Sequence, residues 1–211
     1  ELLLTAGADP NVTNEDGSTA LMVAAYKGAI AIVEILLRAG AQVNLEDFDG
    51  DTALNLAIQG QHPEIVRLLL AFGANPYQGL GAITLAVSER AIACLEALLD
   101  HSVNVNLPTF DGKTPLIHAV VAGYEDMVER LLMAGAKVNL TDLEGDTALI
   151  FAIEQGNLPM VQRLMAAGAT LASANTLLPL AAASGHLSLV QYLRETHQQP
   201  LNSTDEAGDT A

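Results

Sequence analysis

A ladder of small residues divides this chain into segments of nearly constant length. Most of these small residues are glycines that open a segment of the type G-x-T-x-L, as in GSTAL, GDTAL and GKTPL. The others stand where that glycine is expected from the spacing. The ladder consists of Gly17, Gly50, Gly79, Gly112, Gly145, Ala174 and Gly208. Successive steps are 33, 29, 33, 33, 29 and 34 residues. Self-similarity at such a period indicates stacked supersecondary units, each too small to bury a core alone.

One segment, residues 50–78, shows the local pattern that each unit repeats. Thr52 stands at an N-cap position, and apolar residues at helical spacing follow it as a short first helix. Pro63 suits the first turn of a second, more apolar helix, which Gly73 ends. Residues 43–45 and 138–140, both Val-Asn-Leu, are predicted as strand-like arms of a finger-like hairpin between units.

The repeat resembles the ankyrin repeat, whose pattern is T-P-L-H-x-A, a glycine turn, and V-x-x-L-L-x-x-G-A-x-V-N. The matching positions in residues 112–139 are Thr114, Pro115, Leu116, Ala119, Gly123, Val128, Leu131, Leu132, Gly135, Ala136, Val138 and Asn139. The resemblance covers essentially the whole chain. It implies an all-α solenoid of stacked helix-turn-helix repeats with β-hairpin fingers, wound as a right-handed superhelix with a concave groove.

We expect one continuous solenoid over residues 1–211. It comprises a partial repeat 1–16, six repeats at 17–49, 50–78, 79–111, 112–144, 145–173 and 174–207, and the start of another at 208–211. Both short steps fall in the finger region, near 75–80 and 170–175, and lie 95 residues apart. Residues 43–58 and 138–153 agree at 11 of 16 positions, so we infer that a block of three repeats was duplicated and belongs to a longer array.

Several positions depart from the ankyrin pattern. The pattern's histidine is replaced by Met22, Asn55, Thr84, Ile117, Ile150 and Pro179, so its hydrogen bonds between repeats should be missing or remade. Gln61 and Arg90 occupy the glycine position between helices, and Ser102 and His197 occupy the one that ends the second helix. Gly81 replaces the N-cap threonine of the third unit, whose first helix we expect to be the weakest.

Composition restricts the partners. The net charge is −16 and the pI near 4.4, which disfavours nucleic acid and anionic membranes, since both require clustered Lys and Arg. Cys94 is the only cysteine, so there is no internal disulfide and no Cys-based zinc site. We expect a reduced, cytoplasmic environment, with a disulfide-free secreted protein as the alternative, and the sequence contains no apolar run as long as a membrane span.

By the resemblance, a protein partner contacts the finger tips and the exposed side of the first helices. The predicted contact residues are Tyr26, Asp47, Phe48, Asp49, Asp51, Gln59, Phe110, Asp111, Leu143, Glu144, Asp146 and Glu154. Apolar side chains within an acidic rim favour a basic or amphipathic partner segment, and we expect the unbound chain to be a monomer. The alternatives are solvated turn residues, an arm that targets a catalytic domain elsewhere, or an architectural spacer.

We predict no catalytic residue, no cofactor and no metal site. The five histidines are scattered, and no Ser-His-Asp or Cys-His arrangement can be constructed. Asp47, Asp49 and Asp51 alternate as in a calcium loop, but the glycine and distal glutamate of an EF-hand are missing. A hairpin turn is the favoured interpretation. Cys94 is predicted to be a small buried hydrophobe on a second helix.

Overall fold

The computed structural model describes residues 5–79, 81–170, 181–183 and 185–197, with 195–197 as backbone only. The chain forms two compact units, Glu1–Thr109 and Phe110–Ala211. Predictions for Ala174, Pro179, Gly208 and most of the second short finger concern residues outside the described part. The last described helix runs to His197, the predicted helix end.

Short helices alternate with tight turns in both units. The first unit contains α1 (Ala20–Tyr26), α2 (Ile30–Arg38), α3 (Ala53–Gln59), α4 (Pro63–Ala71), α5 (Ala82–Ser88) and α6 (Ile92–Asp100). The second contains α7 (Pro115–Val121), α8 (Glu125–Met133), α9 (Ala148–Glu154), α10 (Leu158–Ala166) and α11 (Leu187–His197). Within these described residues no sheet is present, and no helix is both long and apolar enough to cross a membrane.

Helix ends follow the predicted local chemistry. The Thr52 side chain accepts a hydrogen bond from the Asn55 N–H, and Pro63 occupies the first turn of α4. The turn after α4 contains Gly73 at φ +85°, in the left-handed region. Gln61, Arg90 and Ser102, which stand at glycine positions, also have positive φ, at 58°, 49° and 56°. The turn geometry is therefore kept where the glycine is absent.

The two threonines that are 95 residues apart make a matched test of capping. Thr52 caps α3, whereas the equivalent Thr147 makes no side-chain cap to α9 because the Ile150 N–H bonds to its backbone carbonyl at 3.1 Å. We expect T52A to lower the free energy of unfolding by about 1 kcal/mol and T147A by clearly less. Urea unfolding of both variants measures the difference, and equal losses would show that the Thr52 hydroxyl bond adds no stability.

Stacking of equivalent helices builds the core of the first unit. α3 contacts both α1 and α5, and α4 contacts both α2 and α6. Alanine occupies the close contact positions of successive first helices, at Ala57 and Ala86, both with 0% exposure. Leu54 and Leu69 fill the remaining space and are likewise fully buried. Small residues allow the helices to approach, and aliphatic residues supply the buried apolar area.

The predicted strand-like arms at 43–45 and 138–140 are wrong. Residues 43–44 and 138–139 lie in turns, and the pairing is a single bridge, Glu46 with Thr52 and Thr141 with Thr147. The asparagine side chain explains the difference, because it bonds to the following repeat. Asn44 Nδ2 donates to the Gly73 carbonyl at 3.1 Å, and its Oδ1 accepts from the Asn75 N–H at 2.7 Å.

Two polar contacts join neighbouring repeats at the turn between the first and second helix. Neither involves the position at which the ankyrin pattern has histidine. Nε2 of His62 lies 3.0 Å from the Tyr26 carbonyl oxygen. In the second unit the Gln155 side-chain amide donates to the Val121 carbonyl at 2.9 Å. Neighbouring repeats thus share polar contacts at these turns, through side chains other than those at the histidine position.

Candidate functional site

Two fingertips that are 95 residues apart are each closed by an aspartate that accepts hydrogen bonds from two backbone N–H groups. Asp47 Oδ1 accepts from Asp49 and Asp51 at 3.1 and 2.9 Å, and Asp142 Oδ1 accepts from Glu144 and Asp146, both at 3.0 Å. These turns hold the tips in one conformation. We define the first fingertip pair as residues 14–18 and 47–51, and the second as residues 110–113 and 142–146.

Large apolar side chains project from the fingertips. Phe48 is 81% exposed, although its ring lies against the preceding finger, where a Cβ at Gly17 would be 2.7 Å from Cδ1. Its N–H donates to the Asp16 carbonyl at 3.2 Å. Leu143, 77% exposed, repeats this arrangement on Gly112. These side chains are therefore accessible, and the backbone that carries them is fixed.

Phe110 and Tyr26, the other predicted apolar contacts, are also accessible. Phe110 is the most exposed large hydrophobic side chain in the described residues, at 92%. Tyr26, at the end of α1, is 47% exposed, and the Lys27 ammonium lies 5.5 Å from the centre of its ring. The first unit therefore holds Tyr26 and Phe48, and the second unit holds Phe110 and Leu143.

Side-chain amides donate hydrogen bonds to the Asp51 carboxylate in the first fingertip pair. Asp51 accepts from the Gln59 side chain at 3.1 Å and from the Asn55 side chain at 3.4 Å. Ser18 Oγ lies 3.5 Å from Asp47 Oδ2. Asp47, Asp51 and Gln59 thus have partners within the fold, while the Asp49 side chain is exposed to solvent.

The second fingertip pair lacks these donors. Ile150 and Glu154 stand 95 residues after Asn55 and Gln59, and neither a hydrocarbon nor a carboxylate donates to Asp146. Burial raises the pKa of the Asp146 carboxyl, and the charges of Asp142 and Glu144 raise it further. The pKa of Glu154 is raised by burial and by Asp146 and Glu144. Asp142, Glu144, Asp146 and Glu154 therefore concentrate negative charge here, in addition to Asp111 of the same fingertip pair.

Lys113 is the cation of this cluster. Its Nζ lies 3.1 Å from Asp111 Oδ2 and 3.7 Å from Asp142 Oδ2. The hydrogen bond to Asp111, together with the surrounding carboxylates, raises the pKa of Lys113. The lysine thus offsets part of the negative charge on the Asp111 side of the cluster.

Comparison with known proteins identifies the family. A family model described as ankyrin repeats, in three copies, matches residues 1–79, 73–142 and 134–205. This chain belongs to the ankyrin repeat family. It is similar to the crystal structure of the ankyrin repeat domain of Bcl-3, described as a unique member of the IkappaB protein family, with 31% identity, 93% coverage of each chain and a TM-score of 0.83. No curated protein sequence matches.

The predicted ankyrin repeat fold is confirmed. Ankyrin repeats generally mediate protein–protein interaction, and such domains are typically non-catalytic binding modules. The prediction that Cys94 is buried is also confirmed, and burial raises the pKa of its thiol to about 11, so it stays protonated at neutral pH. Burial also lowers the pKa of His118, which favours its neutral form.

Four residues of the two fingertip pairs were not among the predicted contact residues. They are Gly17 and Gly112, which lie beneath Phe48 and Leu143, and Asp142 and Lys113 in the acidic cluster. The 95-residue period contains a signal for Asp142, because it aligns this residue with Asp47, already a predicted contact. It aligns Lys113 with Ser18, so the charge has no counterpart in the first copy.

Proposed function

We propose that this chain is a non-enzymatic interaction module whose fingertips bind a basic or amphipathic segment of a partner protein. One observation supports the proposal most strongly. The exposed apolar side chains belong to fingertips whose backbone is hydrogen-bonded to the preceding finger before any partner binds. Phe48 is 81% exposed, yet its N–H is bonded to the Asp16 carbonyl and its ring lies on Gly17. Fixed contact residues lose little conformational entropy when a partner binds.

Charge supports the choice of partner. The chain carries a net charge of −16, and carboxylates surround Phe48 and Leu143 at the fingertips. An acidic surface attracts a basic segment during diffusion and accelerates association, while buried apolar contact supplies most of the affinity. Binding should therefore weaken as salt is raised, mainly through slower association.

The test compares partner capture by the wild-type chain with capture by the F48A/F110A double variant. We expect the captured protein to bind the variant at least about tenfold more weakly, because central apolar contacts carry most of an interface's energy. The matched control is M133A, since Met133 is 83% exposed but is the last residue of the second helix α8 and not a fingertip residue.

Two outcomes separate the proposal from a surface without function. Loss of capture in F48A/F110A but not in M133A supports fingertip binding. Equal capture by all three proteins contradicts it. A charge-reversal variant, D49K, tests the electrostatic part, because Asp49 is exposed and reversal should slow association without unfolding the turn. Association that is unchanged in D49K and insensitive to salt would contradict the choice of a basic partner.

A further inference from the structure

An apolar groove of about 510 Å³ runs along α1 in the first unit. It extends from Thr19, which caps the start of α1, to Lys27, which follows its last residue. Val23 of α1, Ile32 of α2 and Val12 line the groove, and all three side chains are exposed. Exposed apolar side chains that lie together on one surface mark a place where another surface packs.

The position of Ile32 is buried in each of the following repeats. Ile32 is 52% exposed, whereas its counterparts in the next five repeats are at most 1% exposed. These counterparts are Ile65, Cys94, Met127, Met160 and Leu189. Ala20 is exposed as well, although its counterpart Ala53 is buried on α3, which α1 contacts. The groove therefore has the side chains of a face that packs against helices, and it continues the contact that joins one repeat to the next.

The charge of the groove differs from that of the chain. The chain carries a net charge of −16, yet none of the described residues that line the groove is acidic. Two molecules of such an acidic chain repel each other, and the repulsion is weakest where no carboxylate lies in the contact. The groove is therefore a surface on which a second molecule of the chain can pack.

The two ends of the groove have opposite charge. Lys27 lies at the end where α1 finishes. Asn14 lines the other end, and the two residues after it, Glu15 and Asp16, are exposed. A two-fold axis that crosses the groove at right angles makes the α1 helices of two molecules antiparallel, because each molecule then contacts the same surface of the other. The Lys27 end of one groove lies in this arrangement against the Glu15 and Asp16 end of the other.

We propose that this groove is the contact between two molecules of the chain, which form a two-fold dimer through α1 and α2. The apolar side chains supply the affinity, and the Lys27 pairs fix the antiparallel direction. The monomer that the sequence led us to expect is the opposite outcome of the test. The dimer does not rest on the fingertip binding proposed above, since neither Phe48 nor Phe110 lines the groove.

Sedimentation equilibrium of the wild-type chain measures this association. We expect the mean mass to rise from 22.0 kDa toward twice that value between about 10 and 100 μM, because a small contact gives a weak dimer. I32E should weaken dimerisation at least about tenfold, because it places a charge in an apolar contact. Since Ile32 is half exposed in the single molecule, I32E should fold normally, which circular dichroism checks.

Two further variants test the surface and its direction. M133E is the matched control, because Met133 is exposed but does not line the groove, and this variant should dimerise as the wild type does. K27E should weaken dimerisation at least about threefold, since it makes both ends of the groove acidic. The double variant K27E/E15K exchanges the two charges and should restore dimerisation.

Three results would overturn the proposal. A wild-type chain that keeps the monomer mass up to about 500 μM refutes the dimer and leaves the groove for a further helical repeat. Equal dimerisation of I32E and M133E shows that association runs through another surface. A K27E/E15K variant that dimerises no better than K27E refutes the antiparallel arrangement.

Discussion

Replacing Ala57 with leucine should lower the free energy of unfolding by about 3 kcal/mol. Ala57 is fully buried on α3, which contacts α1 and α5. The larger side chain has no free volume to enter, so it must displace a neighbouring helix or adopt a strained rotamer. Urea unfolding followed by circular dichroism measures the change as a lower midpoint, and a changed slope would show that the repeats no longer unfold together.

The control for this prediction is the same substitution on an exposed alanine. Ala71 is the last residue of α4 and is exposed, so A71L adds the same atoms without crowding and should stay within about 0.5 kcal/mol of the wild type. If A57L and A71L were equally stable, close packing would not be the reason that alanine stands between the first helices.

Local chemistry explains why the helices could be predicted from the sequence. The Thr52 cap and the Pro63 first turn depend on residues only a few positions apart, which are visible in any one repeat. Thr147 shows the limit of this reasoning. It lies in the same GDTAL motif as Thr52, yet its hydroxyl makes no cap bond, because the Ile150 N–H bonds to the Thr147 carbonyl.

Contacts between repeats were less accessible to sequence reasoning. The strand prediction for residues 43–45 failed because the Asn44 side chain bonds to Gly73 and Asn75, about 30 positions further along the chain. A polar side chain that reaches the next repeat competes with strand pairing in its own finger. The presence of an asparagine alone does not reveal whether its side chain bonds to the next repeat or leaves its own finger free to form a strand.

The candidate site was predictable by residue type but not by burial. The sequence places Asp47 and Asp146 at fingertips, and the structure does the same. It does not show that the Asp142 side chain is 1% exposed, nor that Lys113 comes within 3.7 Å of it, because these depend on how two fingers pack. Only the three-dimensional comparison of the two copies shows that side-chain amides donate to Asp51 in the first, whereas the Lys113 ammonium lies next to Asp142 in the second.

Replacing Gly112 with alanine should lower the free energy of unfolding by about 2–3 kcal/mol. Gly112 has φ +80°, where a side chain costs about 1–2 kcal/mol, and its Cβ would lie 2.6 Å from the Leu143 backbone nitrogen. Backbone cannot rotate away as a flexible side chain can, so the finger 142–146 must shift. The Leu143 N–H bond to the Asp111 carbonyl, at 3.4 Å, should weaken with it.

The G145A variant separates the cost of a positive φ from the cost of the collision with the Leu143 backbone. Gly145 has φ +90°, and a Cβ at this position would meet no atom within 4 Å apart from its chain neighbours. This variant therefore reports conformational strain alone and should cost about 1–2 kcal/mol. Urea unfolding gives the two free energies, and amide hydrogen exchange at Leu143 should be accelerated in G112A only. Equal losses in both variants, with unchanged exchange at Leu143, would show that the fingers do not rest on each other. In that case the fixed fingertip on which partner binding depends would be absent.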